Sequence, residues 1–206
     1  MKISWLGHAS FLLETDGIKI ITDPYDNSVG YDPINIQPDI ITVSHQHFDH
    51  NCTKMFTKAQ IVAEVGKTTI GDIEIEGIAT FHDKEKGASR GKNIIFIISA
   101  QKLRIAHFGD TGTLDLDYSK LENIDIALIP VGGTVTIDAA EAGNLIERIN
   151  PKIAIPMHFK TAKLQFDIDG VEPFLEDKSS EKLDILNVTV DNISTFKRIV
   201  VLFYQR

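Results

Sequence analysis

The chain has 206 residues, which fits a single domain, and its 43% hydrophobic content is sufficient to build a buried core. Its 29 acidic and 21 basic residues give a formal net charge of −8, which argues against a binder of long nucleic acids, because phosphate contacts need a basic surface. No apolar run approaches the roughly 18 residues that a membrane helix requires. Cys52 is the only cysteine and excludes an internal disulfide; the N-terminus lacks a signal-peptide pattern, and together they favour the cytoplasm.

The first third of the chain reads as short strands that lead to a cluster of histidines. Strands are predicted over residues 2–6, 10–14, 18–22 and 39–43, which are short apolar segments separated by turn signals such as Asp16-Gly17. Residues 44–51 follow the fourth strand directly, at the strand end where open sheets usually hold their sites. A short helix is predicted next, over residues 54–59.

The rest of the chain is predicted to contain further strands and two helices. The clearest helix spans residues 137–149, because Leu145, Ile146 and Ile149 repeat at helical spacing. Asp138 followed by Glu141 resembles a capping box at its start. A shorter helix is predicted over residues 170–178. The remaining strands are predicted over residues 60–65, 68–70, 72–80, 93–99, 102–108, 124–130, 153–156, 185–190 and 197–204.

Residues 44–51 hold three histidines and one carboxylate within six positions. His45 and His47 are two apart, so in an extended segment their imidazoles point to one side and could bind one cation. Asp49 and His50 would then face a neighbouring point, which suggests two metal ions. Imidazole and carboxylate without thiolate suit a catalytic zinc or manganese site better than a structural zinc site. The alternative is a polar surface loop with chance histidines.

The seven histidines all lie where a predicted strand meets a loop, as a rim of strand ends around one pocket would require. A set of motifs along most of the chain resembles the five-part signature of the metallo-β-lactamase superfamily: Asp23, His45-x-His47-x-Asp49-His50, His82, Gly109-Asp110 and His158. Other segments, among them Trp5-Leu6-Gly7-His8 and His107-Phe108-Gly109-Asp110, resemble its small branch of ascorbate-6-phosphate lactonase-like hydrolases. The resemblance implies an α/β (α+β) fold, a four-layer αββα sandwich of two mixed β-sheets, as one domain over residues 1–206.

The resemblance also implies two divalent metal ions, with zinc expected and manganese, nickel or iron as alternatives. One ion would be bound by His45, His47 and His82, and the other by Asp49, His50 and His158. Asp110 would bridge the two ions. His82 departs from the usual pattern, because Phe81 and Asp83 flank it where the superfamily commonly has Gly-His-Thr.

Two divalent ions held by five imidazoles and two carboxylates keep a net positive charge, enough to hold hydroxide at neutral pH. That hydroxide would attack a small ester, lactone or phosphoester. Asp49 and Asp110 are the predicted catalytic residues, and Asp49 would orient the water or pass its proton to the leaving group. Phe48 would help to exclude water.

Several residues outside the predicted ligand set have two interpretations. Asp23 is predicted to accept a ring N–H from a ligand histidine, with an Asx-type turn as the alternative. His8 and His107 either border the pocket as proton donor or substrate contact, or pack around the ligands. Arg90, in a loop with three lysines, either contacts an anionic group of the substrate or belongs to a solvated loop.

The leading hypothesis is a metal-dependent hydrolase whose partner is a small-molecule substrate, anionic if Arg90 contacts it. One alternative is a nuclease or nucleotide phosphodiesterase of the same fold. Another is an iron redox protein, although such proteins commonly carry Glu where His47 stands here. The last is a metal-binding sensor without turnover. The sequence gives no indication of the oligomeric state.

Overall fold

The computed structural model describes residues 1–205, which form fourteen strands, two α-helices and three short 3-10 turns. The strands are, in chain order, β1 (Lys2–Gly7), β2 (Ser10–Thr15), β3 (Ile18–Thr22), β4 (Ile40–Thr42), β5 (Gln60–Val62), β6 (Gly66–Ile70), β7 (Ile73–Phe81), β8 (Lys92–Ala100), β9 (Leu103–His107), β10 (Ile126–Pro130), β11 (Ile153–Met157), β12 (Ser180–Leu183), β13 (Leu186–Asn187) and β14 (Ile199–Leu202). The helices are α1 (Ala139–Ile149) and α2 (Glu172–Leu175).

The strands form two mixed sheets. The six-stranded sheet has the order β13-β1-β2-β3-β4-β5, antiparallel from β1 to β3 and parallel from β3 to β5. The eight-stranded sheet has the order β12-β14-β11-β10-β9-β8-β7-β6, parallel from β9 to β11 and antiparallel from β6 to β9. This arrangement confirms the predicted fold class of two mixed sheets in a sandwich.

Each face of the six-stranded sheet packs against a buried apolar cluster. Successive side chains of a strand point to opposite faces, so neighbouring residues of one strand belong to different clusters. The face toward the main core carries Ile3, Phe11, Leu13, Ile20 and Ile40. The other face carries Leu6, Leu12, Ile21 and Ile41, which pack in a second cluster with Tyr25, Val29, Tyr31, Ile34, Leu164 and Ile168. These partners come from loops with one 3-10 turn, so this outer layer is less helical than predicted. Pro33 and Pro38 lack the N–H that a helix there would need.

Helix α1 packs on the eight-stranded sheet through Ala142, Leu145, Ile146 and Ile149. Its predicted capping box is confirmed, since the Asp138 carboxylate accepts from Glu141 N and the Glu141 carboxylate accepts from Asp138 N. The helix begins two residues later than predicted, because Ile137 N donates to the Thr111 carbonyl at 2.9 Å and belongs to the preceding loop.

Three predicted elements differ from the structure. Residues 54–59 form turns and no helix: Phe56 N and Ala59 N each bond three residues back, and Phe56 alone is buried, so a helix would have no apolar face. The helix predicted over residues 170–178 is the single turn α2. The strand predicted over residues 185–190 is only β13, and β12 was missed because this edge strand has no buried apolar alternation.

Candidate metal centre

Five separate segments bring the predicted site residues to one edge of the sandwich. His8 lies in the turn between β1 and β2, and His45 to His50 follow β4. His82 follows β7, Asp110 follows β9 and His158 follows β11. The histidine and aspartate side chains of these segments are buried, except that of His47, which is partly exposed.

The Asp110 carboxylate lies at the centre of the cluster. Its Oδ2 atom is 3.2 Å from the Nε2 atoms of His50 and His82 and 3.3 Å from Nε2 of His158. The Nε2 atom of His45 is 3.8 Å away. Burial alone would raise the pKa of Asp110, but the neighbouring His158 and His50 hold it well below its usual range. The centre therefore carries an ionised carboxylate among imidazoles.

Three sets of nitrogen and oxygen donors have ligand atoms that all lie within 4.8 Å of one another. One of them, Asp23 with His45 and His50, lies behind the other two, which are called the first and second group here. The first group contains His45, His47 and His82, and the partly exposed His47 opens it to solvent. The second group contains His8, Asp49, His50 and His158, all of them buried. Asp110 contacts both groups through His82 and His158.

Two kinds of observation indicate that these residues could hold divalent ions. Nε2 of His50 and Oδ1 of Asp110 are buried without a hydrogen-bond partner among the described residues, and a cation would satisfy both. Burial would lower the pKa of His50, but the carboxylates of Asp110, Asp23 and Asp49 raise it well above its usual range. The carboxylates therefore favour positive charge at this point, and a bound cation would supply that charge in place of the imidazole proton. Burial lowers the pKa of His45 to about 3, which keeps that imidazole neutral, as a ligand must be.

Behind the donors, Asp23 and Ser44 orient two of the histidines. The Asp23 Oδ2 atom accepts from His50 Nδ1 at 2.9 Å and from Ser44 Oγ at 2.5 Å, and Oδ1 accepts from Ser44 N at 2.7 Å. Ser44 Oγ in turn accepts from His45 Nδ1 at 2.9 Å. Because Nδ1 of both rings is engaged, Nε2 of both is left for the cluster. Ser44 was missed by sequence reasoning, although it directly precedes His45.

His8 and His107, which had the same two interpretations, occupy different places. The Nε2 atom of His8 lies 3.1 Å from Asp49 Oδ2, and its ring centroid is 4.2 Å from that of His158. His107 is fully buried and donates from Nε2 to the Ala9 carbonyl at 2.7 Å, so it supports the turn that carries His8. Burial lowers the pKa of His107.

A cavity of about 440 Å³ opens over the cluster, and Arg90 is the only basic side chain of the loop at residues 83–92 that lines it. The Asp83 carboxylate organises this loop by accepting from four backbone N–H groups, those of Glu85, Gly87, Ser89 and Arg90. Lys84 instead pairs with Glu141 at 2.6 Å. The Arg90 guanidinium makes no hydrogen bond or ion pair with residues 1–205, so it is available to a ligand.

The comparisons with known proteins agree with this geometry. A family model described as the beta-lactamase superfamily domain matches residues 2–158. A crystal structure from Thermotoga maritima, assigned to the Zn-dependent hydrolases of the metallo-beta-lactamase superfamily, is 35% identical with a TM-score of 0.79, and the match covers 98% of this chain and 97% of that one. The chain belongs to the metallo-β-lactamase superfamily. The superfamily predicted from the motifs is thereby confirmed.

Within the metallo-β-lactamase superfamily, the chain is similar to UPF0173 metal-dependent hydrolases. The relative from Thermoplasma acidophilum is 36% identical over 203 residues, which cover 84% of this chain and 88% of the relative. The relative from Methanopyrus kandleri is 30% identical over 196 residues, covering 78% and 85%. Among residues 1–205, no helix has the length and apolarity needed to cross a membrane.

Proposed function

We propose that the protein is a metal-dependent hydrolase that uses two divalent ions, with zinc at both positions, on a small ester, lactone or phosphoester. The observation that carries this proposal is the buried Asp110 carboxylate, with one oxygen 3.2 to 3.3 Å from imidazoles of both donor groups. The relatives named as metal-dependent hydrolases support it, and the motifs shared with the lactonase-like branch are the reason that lactones are included.

His45, His47 and His82 of the first group would bind one ion, and Asp49, His50 and His158 of the second group would bind the other. Asp110 would contact both ions. When bound, divalent ions act as Lewis acids, and zinc lowers the pKa of its bound water to about 7. The chain's own contribution is to orient the groups around them. Asp49 lines the cavity, and its Oδ1 atom makes no hydrogen bond to residues 1–205, so this oxygen can orient water or receive its proton.

His8 would hold Asp49 in position. Burial lowers the pKa of His8 to about 4, so its imidazole is neutral at pH 7 and its Nε2–H can donate to Asp49 Oδ2 at 3.1 Å. His8 has a left-handed φ of 53°, and its carbonyl accepts from Trp5 Nε1 and from His158 N. A strained residue that is held from several sides is typical of a functional site. We assign His8 a positioning role.

The proposed activity is tested by adding zinc, manganese or nickel back to metal-free protein with a panel of lactones, carboxyl esters, phosphomonoesters and phosphodiesters. We expect turnover of at least one class to return on metal addition, most strongly with zinc. Binding of two ions without turnover of any substrate would contradict the proposed hydrolase activity and favour a metal-binding sensor.

Arg90 would select substrates that carry an anionic group. Because hydrogen bonds to charged groups contribute about 1.5–3 kcal/mol, we expect Arg90→Ala to lower kcat/KM for a phosphorylated ester by roughly 10- to 100-fold. Neutral esters should be hydrolysed as before. Lys86→Ala, in the same loop but outside the cavity lining, is the matched control. An equal loss for phosphorylated and neutral esters would contradict a role for Arg90 in selection.

A further inference from the structure

The cavity over the donor cluster has an apolar wall. Phe48 and Phe166 line it with their ring centroids 6.1 Å apart and their planes at 84°, an edge-to-face contact. Val135 and Ile168 continue the wall. This apolar surface adjoins Asp49, His158 and Asp110, which line the same cavity.

Phe48 occupies an unusual place for a large apolar side chain. It lies in sequence between His47 and Asp49, it is 53% exposed, and it belongs to neither buried hydrophobic cluster. A single exposed apolar residue is ordinary on a protein surface. Here, however, the exposed ring shares one cavity with three other apolar side chains beside the reaction centre, and such lining is typical of small-molecule sites.

Phe166 is held in the wall by the loop that follows His158. The ends of this loop are fixed, because Lys160 N donates to the Asp169 carbonyl at 2.7 Å and Asp169 N donates to the Gly132 carbonyl at 2.9 Å. The Lys160 ammonium also donates to the Phe166 carbonyl. The Phe166 ring stands at 78° to the His8 ring, 5.5 Å between centroids. The wall is therefore built against the cluster itself.

We propose that this wall binds an apolar arm of the substrate, an acyl chain or aryl group next to the bond that is hydrolysed. The inference rests on the proposed hydrolase function and narrows its substrate class. The arm would lie between Phe48 and Phe166, while the polar end of the substrate faces the donor cluster. Since burial of one methylene group is worth about 0.8 kcal/mol, each added methylene should raise kcat/KM about fourfold until the wall is covered.

The test uses metal-loaded protein and 4-nitrophenyl esters from acetate to octanoate. We expect kcat/KM to rise with chain length, and the rise to flatten in Phe48→Ala and Phe166→Ala but persist in Phe48→Leu. Phe203→Ala is the matched control, because Phe203 is 50% exposed and does not line the cavity. Turnover that is independent of chain length in the wild type would overturn the inference.

A binding measurement separates failure of this inference from failure of the proposed function. Calorimetry compares acetate, octanoate and a nucleoside monophosphate on the same metal-loaded variants. Tighter binding of octanoate than of acetate, lost in Phe48→Ala and Phe166→Ala, would support the apolar arm even if no ester is turned over. Equal affinities for the two acids, or a nucleotide bound more tightly than octanoate through the same two rings, would overturn it.

Discussion

The two donor groups of the centre are built in different ways. The first group takes His45 and His47 from one short stretch after β4, adds His82, and is open at His47. The second group draws its side chains from the β1–β2 turn, the stretch after β4 and the end of β11, and all of them are buried. The first group therefore depends mainly on local sequence, whereas the second exists only when distant strands have come together.

The two groups also differ in how accessible they are to a substrate. His47, Phe48 and Arg90 lie at the open side, where a substrate can enter the cavity. The second group is buried, and hydrogen bonds hold its donors: His8 Nε2 contacts Asp49, and Asp23 accepts from His50. We infer that the ion bound by the first group (the first position) exchanges with solvent faster than the ion bound by the second group (the second position).

The largest effect is expected from Asp110→Asn, because Asp110 contacts both groups. Removing its charge while keeping its shape should reduce metal affinity at both positions and lower kcat/KM by more than about 100-fold, since changes to residues behind metal ligands already cost 10- to 100-fold. Asp167→Asn, on the cavity rim, is the control. Calorimetric titration measures both affinities, and two unchanged sites in Asp110→Asn would contradict the bridging role.

Variants that each lack one ligand should affect stability differently in the two groups. His158→Ala should remove one ion and also lower the melting temperature, because it leaves a hole beside His8 and His50 in a fully buried cluster. His47→Ala should also remove one ion, yet leave the melting temperature of the metal-free protein nearly unchanged, since His47 is partly exposed. Metal counts and thermal unfolding measure this difference. Equal destabilisation by both variants would show that the groups are enclosed alike.

A smaller and more selective effect is expected from Ser44→Ala. Ser44 Oγ accepts from His45 Nδ1, so its loss should weaken zinc at the first position by roughly 10-fold and leave the second nearly unchanged. Asp23→Asn should weaken both positions, because Asp23 contacts His50 directly and reaches His45 through Ser44. If Ser44→Ala weakened zinc binding equally at both positions, the assignment of Ser44 to the first position alone would be wrong.

The local parts of this molecule were predictable from sequence. The dense ligand pattern of residues 44–51 and the short apolar strands β1 to β4 require only neighbouring residues, and α1 carries its capping box within four positions. The placement of His82, Asp110 and His158 followed from the resemblance to a superfamily, because nothing in their own neighbourhoods indicates which strand ends meet.

The parts that escaped prediction depend on long-range packing. His8 meets Asp49 across 41 positions of sequence, and the choice between His8 and His107 is made by which ring the β1–β2 turn directs into the cluster. Phe166 reaches the cavity because its loop bonds to Gly132, a contact that local propensity does not encode. Strand β12 is a half-buried edge strand, and its residues carry no alternating apolar pattern to recognise.

The two-ion centre is tested most directly by anomalous scattering from crystals of the zinc-loaded protein. We expect two ions per chain, one within bonding distance of His45, His47 and His82 and the other within bonding distance of Asp49, His50 and His158, with the Asp110 carboxylate touching both. A single ion, or a second ion away from Asp49, His50 and His158, would contradict it.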